Sequence, residues 1–256
     1  MFDQVSERLR ARSAALLLRI DTRLDLILKY WLLIAGLASA ARIVAAPQPL
    51  PLASFSTFAS YGLMVIAPVA STLLALRWFS DGHLQPQPET RLARVGRWRG
   101  IGSGEAQRHP LYGASGIMVS LIVGMMLNVP VRAAEYLMAM PPIPSGPPHW
   151  LSVLYFAMTF DVVVFTSLYM VAFVAAVRRV PLFPRLLLAI WLADLVMQLV
   201  TAQMVGSTHV PANVAAALQT LLAGNVKKVL ISMVLWLPYL LLSTRVNVTY
   251  RHRIPA

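Results

Sequence analysis

The sequence predicts an all-α, polytopic membrane protein: a bundle of six transmembrane helices preceded by an amphipathic helix lying on the membrane surface. Three observations carry this. Hydrophobic residues make up 58% of the 256 and charged residues only 12%, about half the charge of an ordinary soluble domain. Six apolar runs come close to or meet the ~20 residues needed to cross the hydrocarbon layer. The basic residues gather in the short connections between those runs, where they act as topology signals. Mean hydropathy is accordingly high, at +0.66.

Each element follows in order. Val5 to Leu28 spaces Leu9, Leu16, Ile20, Leu24 and Ile27 among arginines at helical intervals, which predicts an interfacial amphipathic helix, taken as residues 1–26. The next run ends in Ala45 and Ala46 like a secretory leader. A charged segment containing acids precedes it and Pro47 follows, so it is expected to be retained as helix one, Leu28 to Ala46. The uncharged turn Pro47-Gln48-Pro49-Leu50-Pro51 leads to helix two, Thr57 to Phe79. Residues 80–111, rich in Gly, Pro, Gln and Arg, are too polar to bury a core and are expected to form a mobile basic loop. Helix three spans Tyr112 to Val131, with a kink at Pro130 and a possible continuation to Met140. Gly113, Gly116 and Gly124 give it a small face for close packing. The proline-rich connector 141–148 should be stiff and extended. Helix four covers Trp150 to Val177, helix five Leu186 to Val205 and helix six Val226 to Ser243. A separate short amphipathic helix, Asn213 to Leu222, should rest on the surface before helix six, and residues 245–256 form a tail. The transmembrane domain as a whole is placed at 27–244. No internal repeat of the kind found in inverted-repeat transporters is visible.

Sorting the charges sets the orientation. Lys and Arg exceed Asp and Glu by 22 to 10. In this layout 18 of the 22 cations lie on one side, in the N-terminal segment, the loop after helix two, the turn Arg178–Arg185 and the tail. Only Arg42, Arg132, Lys227 and Lys228 fall on the other, so both ends are expected in the cytoplasm. The same charge points to anionic headgroups at the cytoplasmic face as a partner, not to nucleic acid.

Two carboxylates stand in otherwise uncharged spans, Asp161 in helix four and Asp194 in helix five. Each is about 11 residues from its outer end, and at about 1.5 Å per residue both sit near mid-membrane at similar depth. Gln198 and Thr201 continue the Asp194 face at i+4 and i+7. Ionisable groups at that depth are costly and mark either a solute, ion or proton path or an internal brace that holds helices together. Lys228, at the start of helix six, and Arg42, about one turn from the end of helix one, are the expected cationic partners, unless they snorkel to the outer headgroups. Arg132 and Glu135, spaced i and i+3, are expected to pair with each other at the outer face.

Other chemistries find no support. With Cys 0 there is no disulfide, thiolate nucleophile or thiolate metal site. His83, His109, His149, His209 and His252 share no helical spacing with one another or with a carboxylate, so neither metal nor haem ligation nor a hydrolase triad is indicated. Asp161 and Asp194 lack the glycine-flanked setting of an aspartyl-protease pair. The methionines within the helices read as packing. No metal and no cofactor is expected.

The final helix reads Leu235-Trp236-Leu237-Pro238-Tyr239, then Ser243-Thr244-Arg245-Val246 and Thr249. This ending resembles that of a family of small bacterial inner-membrane proteins called domain of unknown function 2569. The resemblance covers the last helix and its tail, and the preceding helices only in layout. It implies a bacterial inner-membrane location, no assigned activity and no catalytic residue. The family is usually shorter, so the first two helices would be an addition. The leading expectation is a non-enzymatic accessory, assembly or interaction subunit that packs against a protein partner or itself. The alternative is a small transporter or channel using the intramembrane carboxylates.

Overall fold

The computed structural model describes residues 2–45, 55–89, 92, 95–143 and 146–256. The turn Pro47-Gln48-Pro49-Leu50-Pro51, Arg91 and Arg94 of the basic loop, and Pro144 and Ser145 of the connector lie outside them. The chain runs α1 (Phe2–Thr22), α2 (Leu24–Val44), α3 (Phe55–Trp78), β1 (Trp98–Gly100), α4 (Ser103–Arg108), α5 (Ile117–Ala139), α6 (His149–Val177), α7 (Phe183–Gly206), α8 (Ala212–Leu242), α9 (Thr244–Arg251) and β2 (Arg253–Pro255). Six of these, α2, α3, α5, α6, α7 and α8, are long and apolar enough to cross a membrane. The protein is therefore an all-α polytopic bundle.

The bundle is built around α6. Of its most apolar stretch 61% is buried, against 11% for α8. Small residues explain this centrality, because Ala157, Ala172, Ala175 and Ala176 are fully covered and allow close approach of neighbouring helices. Helices α3, α5 and α7 pack on it, and α8 joins through α7. Pro68 loosens the hydrogen-bond ladder within α3. In that turn Trp31 Nε1 of α2 donates to the Val65 carbonyl at 2.9 Å, which ties the first span to the second.

Several boundaries differ from those the sequence predicts. Gly113 (φ 94°) and Gly116 (φ 64°) occupy the left-handed region, so they form a turn ahead of α5 instead of a small face within it. At its other end α5 passes through Pro130 to Ala139, matching the expected continuation to Met140, since a neighbouring bundle re-satisfies the backbone that a proline disturbs. The surface helix expected at Asn213 to Leu222 is not separate. It is the first part of α8, 31 residues long, because Gly224 alone, without an adjacent proline, does not stop a helix. At about 1.5 Å per residue α8 is longer than the ~30 Å hydrocarbon layer.

The largest departure lies where the chain ends. The residues expected as a tail form α9, in which Val246, Asn247, Val248, Thr249 and Tyr250 are all essentially buried. Tyr250 OH donates to the Ala176 carbonyl of α6 at 2.8 Å, and Thr249 Oγ1 accepts the Gly113 N–H at 2.9 Å. Asn247 Nδ2 donates to the Leu241 and Ser243 carbonyls, both at 3.0 Å, and so satisfies the frayed end of α8. Beyond α9, β2 pairs antiparallel with β1 from the loop after α3, Arg99 facing Ile254. The stretch expected to be a mobile basic loop thus has its described part held by the chain terminus. In the same region Gly82 lies so close to the α6–α7 turn that an added Cβ would sit 2.6 Å from Val180 Cγ2 and 2.8 Å from the Arg178 carbonyl oxygen.

The amphipathic helix α1 docks at this same end. Leu17 and Ile20 are buried with Leu24 in the main core, while Leu9, Leu16 and Leu18 stay exposed. Ser13 Oγ accepts the Gly116 N–H at 2.7 Å and Asp21 pairs with Arg178 at 3.6 Å. The break between α1 and α2 falls at Arg23, slightly earlier than the boundary after residue 26.

Because α9 plugs the bundle end, its contacts should govern stability. Tyr250→Phe should cost about 0.5 to 1.5 kcal/mol, the loss of one hydrogen bond, because the Ala176 carbonyl still accepts the Arg179 N–H at 3.2 Å. Tyr250→Ala should cost about 3 to 5 kcal/mol by adding a cavity. Thermal unfolding in a mild detergent measures both, and a Tyr250→Ala protein melting with the parent would show that α9 does not brace the bundle.

Candidate functional site

The polar groups of the mid-bundle converge on one side chain, Arg132 of α5. Its Nη1 donates to Asp161 Oδ2 of α6 at 2.6 Å and its Nη2 to Asp194 Oδ2 of α7 at 2.6 Å. The planar fork of a guanidinium suits this, since its two amino groups diverge at a fixed angle and reach carboxylates on separate helices. Its Cζ also lies 5.0 Å from the ring centroid of Phe165, a cation–π contact one turn along α6 from Asp161. Asp194 is completely inaccessible and Asp161 is 7% exposed.

Two carboxylates outnumber one guanidinium, and neutral donors meet the excess. Gln198 Nε2 donates to Asp161 Oδ1 at 3.1 Å and to Asp194 Oδ1 at 3.2 Å. Because carboxylates only accept, the Gln198 amide must turn its nitrogen toward them. Its Oε1 then accepts from Asn225 Nδ2 of α8 at 3.3 Å. Tyr169 OH approaches Asp194 Oδ2 at 3.4 Å. The network therefore joins α5, α6, α7 and α8 through charge and hydrogen bonds at a depth where unpaired charge is costly.

The equal depth of Asp161 and Asp194 and the stripe through Gln198 are as the sequence predicts. Thr201 is buried on the same face, 2% exposed, and among the described residues no hydrogen bond joins it to the network. The cations are reassigned. Arg132 does not pair with Glu135, because α5 continues past Pro130 and carries Arg132 into the bundle instead of leaving it in an outer connection. Glu135 pairs with Lys228, so Lys228 is not the partner of either aspartate. In an unbroken α8, Lys228 stands near mid-helix opposite Glu135. Arg42 lies against the Tyr61 hydroxyl at the α2–α3 contact, apart from the aspartates. Sequence reasoning missed Tyr169 and Asn225 as well. The available signal was the apolar run on both sides of Arg132, which marks an arginine inside a span.

Two clefts flank α8. One of about 550 Å³ lies between α7 and α8, lined by Gln198, Val205, Leu218 and Leu222. The other, about 560 Å³, lies between α8 and the α5–α6 pair, lined by Glu135, Met158, Leu221, Asn225 and Lys228. Gln198 and Asn225, hydrogen-bonded to each other, thus separate the carboxylates from both clefts. Among the described residues no three metal-ligating side chains converge. Both aspartates are engaged by Arg132, so the arrangement serves cohesion or proton exchange within the network better than metal binding.

The network should respond to charge balance more than to shape. Arg132→Gln strands two carboxylates and should cost about 3 to 5 kcal/mol. Adding Asp161→Asn and Asp194→Asn to that variant should recover part of the loss. Lys228→Met should cost less than Arg132→Gln, since it strands one carboxylate, Glu135, that is 32% exposed, instead of two buried ones. Unfolding midpoints of these variants in detergent test the scheme, and no recovery in the triple variant would refute it. Compared with protein-family models, with curated proteins and with solved structures, the chain matches none.

Proposed function

We propose that this chain is a non-enzymatic protein of a bacterial inner membrane, acting as an accessory, assembly or interaction subunit of a membrane complex. The carrying observation is that the deep carboxylates are bound by Arg132, Gln198 and Tyr169, which suits an internal brace better than a reacting group. The inner-membrane assignment rests on the resemblance of the ending to domain of unknown function 2569. Both termini are proposed to be cytoplasmic. The Asp21–Arg178 pair and the Tyr250–Ala176 bond gather α1, the α6–α7 turn and α9 at one end of the bundle. Most of the cations lie in these segments and the adjoining loop, consistent with the positive-inside rule.

A second reading, a small solute or proton-coupled transporter, is favoured by one feature. Gln198 and Asn225 reach both the aspartate network and the flanking clefts, so a side-chain rotation would open a polar route from the clefts to the carboxylates.

Orientation is testable directly because the chain has no native cysteine. Ser207→Cys should react with an impermeant maleimide on intact cells, whereas Ser103→Cys should react only after permeabilisation. Labelling of Ser103→Cys in intact cells would reverse the orientation. For function, purification from native membranes in mild detergent should recover a stoichiometric protein partner. If the chain purifies alone, and proteoliposomes show a solute-dependent proton flux that Asp194→Asn abolishes, the transporter reading replaces the first.

A further inference from the structure

An open cleft of about 600 Å³ lies at the end of the bundle where α5 and α9 begin and α8 ends, a size ordinary for ligand pockets. Its walls combine Arg10 of α1, Arg245 of α9 and the hydroxyl-bearing Ser115, Ser120 and Thr244 with the apolar Leu9 and Ile117. Among the described residues neither arginine has a carboxylate within ion-pair distance, although the two are close enough to oppose each other's charge. Arg245 Nη1 is held on the Leu111 and Gly113 carbonyls at 3.2 and 3.0 Å, which fixes the guanidinium at the cleft wall. Arg245 is also drawn below the ordinary arginine range by burial, with Tyr239 opposing and Arg10 adding to the effect. Two cations directed into one hydroxyl-lined cleft, without an acid between them, are an arrangement completed by an anion.

We propose that this cleft binds the phosphate of an anionic phospholipid headgroup, held by Arg10 and Arg245 with the hydroxyls of Ser115, Ser120 and Thr244. A lipid is the occupant because the cleft lies at the end of two spans, at the level of the headgroups. Its apolar side, with Leu9 and Ile117 59% and 64% exposed, continues toward the lipid-facing surface and receives the first acyl carbons. Ser13 shapes the pocket instead of binding: its hydroxyl donates to the Arg10 carbonyl at 2.9 Å and accepts from Gly116, so its donor is already used. The site would thereby link α1, α5 and α9 through one lipid, independently of which protein the bundle contacts and of the side on which it faces.

The test uses the full-length protein in a neutral detergent, with native mass spectrometry and unfolding midpoints as readouts. Phosphatidylglycerol should bind one to one and raise the midpoint, and phosphatidylcholine should do so less. Arg10→Gln, on an exposed part of α1, should fold normally and weaken phosphatidylglycerol about fivefold, the loss expected for one cation. Arg8→Gln, turned roughly 200° away on the same helix, should bind as the parent does. Arg245→Gln should weaken binding further. If that variant does not fold, Arg10→Gln and Arg8→Gln decide alone. Equal weakening by those two would reduce the effect to diffuse attraction and overturn the site. Stabilisation by inorganic phosphate with no added effect of the lipid would overturn the lipid as its occupant.

Discussion

A guanidinium and two carboxylates withdrawn from water each lose hydration worth several kcal/mol, and the fold must return that through geometry. In this bundle it does so with one bridge, Arg132 to Asp161 and Asp194 at 2.6 Å each. The three groups come from α5, α6 and α7, so these spans must meet in one rotational and vertical register. Sliding any of them by a turn would leave a charge facing hydrocarbon. The lipid-facing apolar residues impose no such condition, because a leucine is equally content against a tail or against another leucine. The bridge thus sets the relative heights of the central helices, and Gln198 and Asn225 extend that register to α8.

The end of the bundle near the termini is held differently. There the constraint is backbone satisfaction: α9 supplies partners to the Leu241 carbonyl of α8, the Ala176 carbonyl of α6 and the Gly113 N–H of the turn before α5. Burial of five consecutive residues on a short helix requires neighbours on every side, and α4, the α6–α7 turn and the β1–β2 pair are among them. Much of the basic charge sits in or beside this cap. Cohesion at mid-membrane therefore comes from paired charge, whereas at this end it comes mainly from hydrogen bonds and packing, which also enclose Arg251, 9% exposed and bonded to Asn247 Oδ1 at 3.0 Å.

Helix α8 stands between these regimes. It is the least buried of the six candidate spans, among the described residues bonds to the network only through Asn225, and has a cleft along each side. An element so thinly held is the one whose position can change without dismantling the rest. Both functional readings pass through it. In the first its uncovered side meets a partner helix, and in the second its displacement admits solute to the aspartates.

The sequence by itself determined the fold class, the approximate spans and the common level of Asp161, Asp194 and Gln198 along their helices, because hydropathy, helical rise and i+4 spacing are local properties. It left open which cation meets the aspartates. Arg132 was legible as membrane-embedded only if α5 passed unbroken through Pro130. That depends on neighbouring helices stabilising the proline turn, a non-local effect. The same holds for Lys228, whose depth follows from α8 being continuous across Gly224. The folded tail was not legible either. Residues 244–255 are polar by composition, and only the cavity formed by α6, α8 and the Gly113 turn makes their burial favourable. Pairing of β1 with β2 joins short segments far apart in the chain, without any periodic pattern. Tertiary structure decided these points because each is a contest between partners distant in sequence, settled by which of them the packed helices bring within reach.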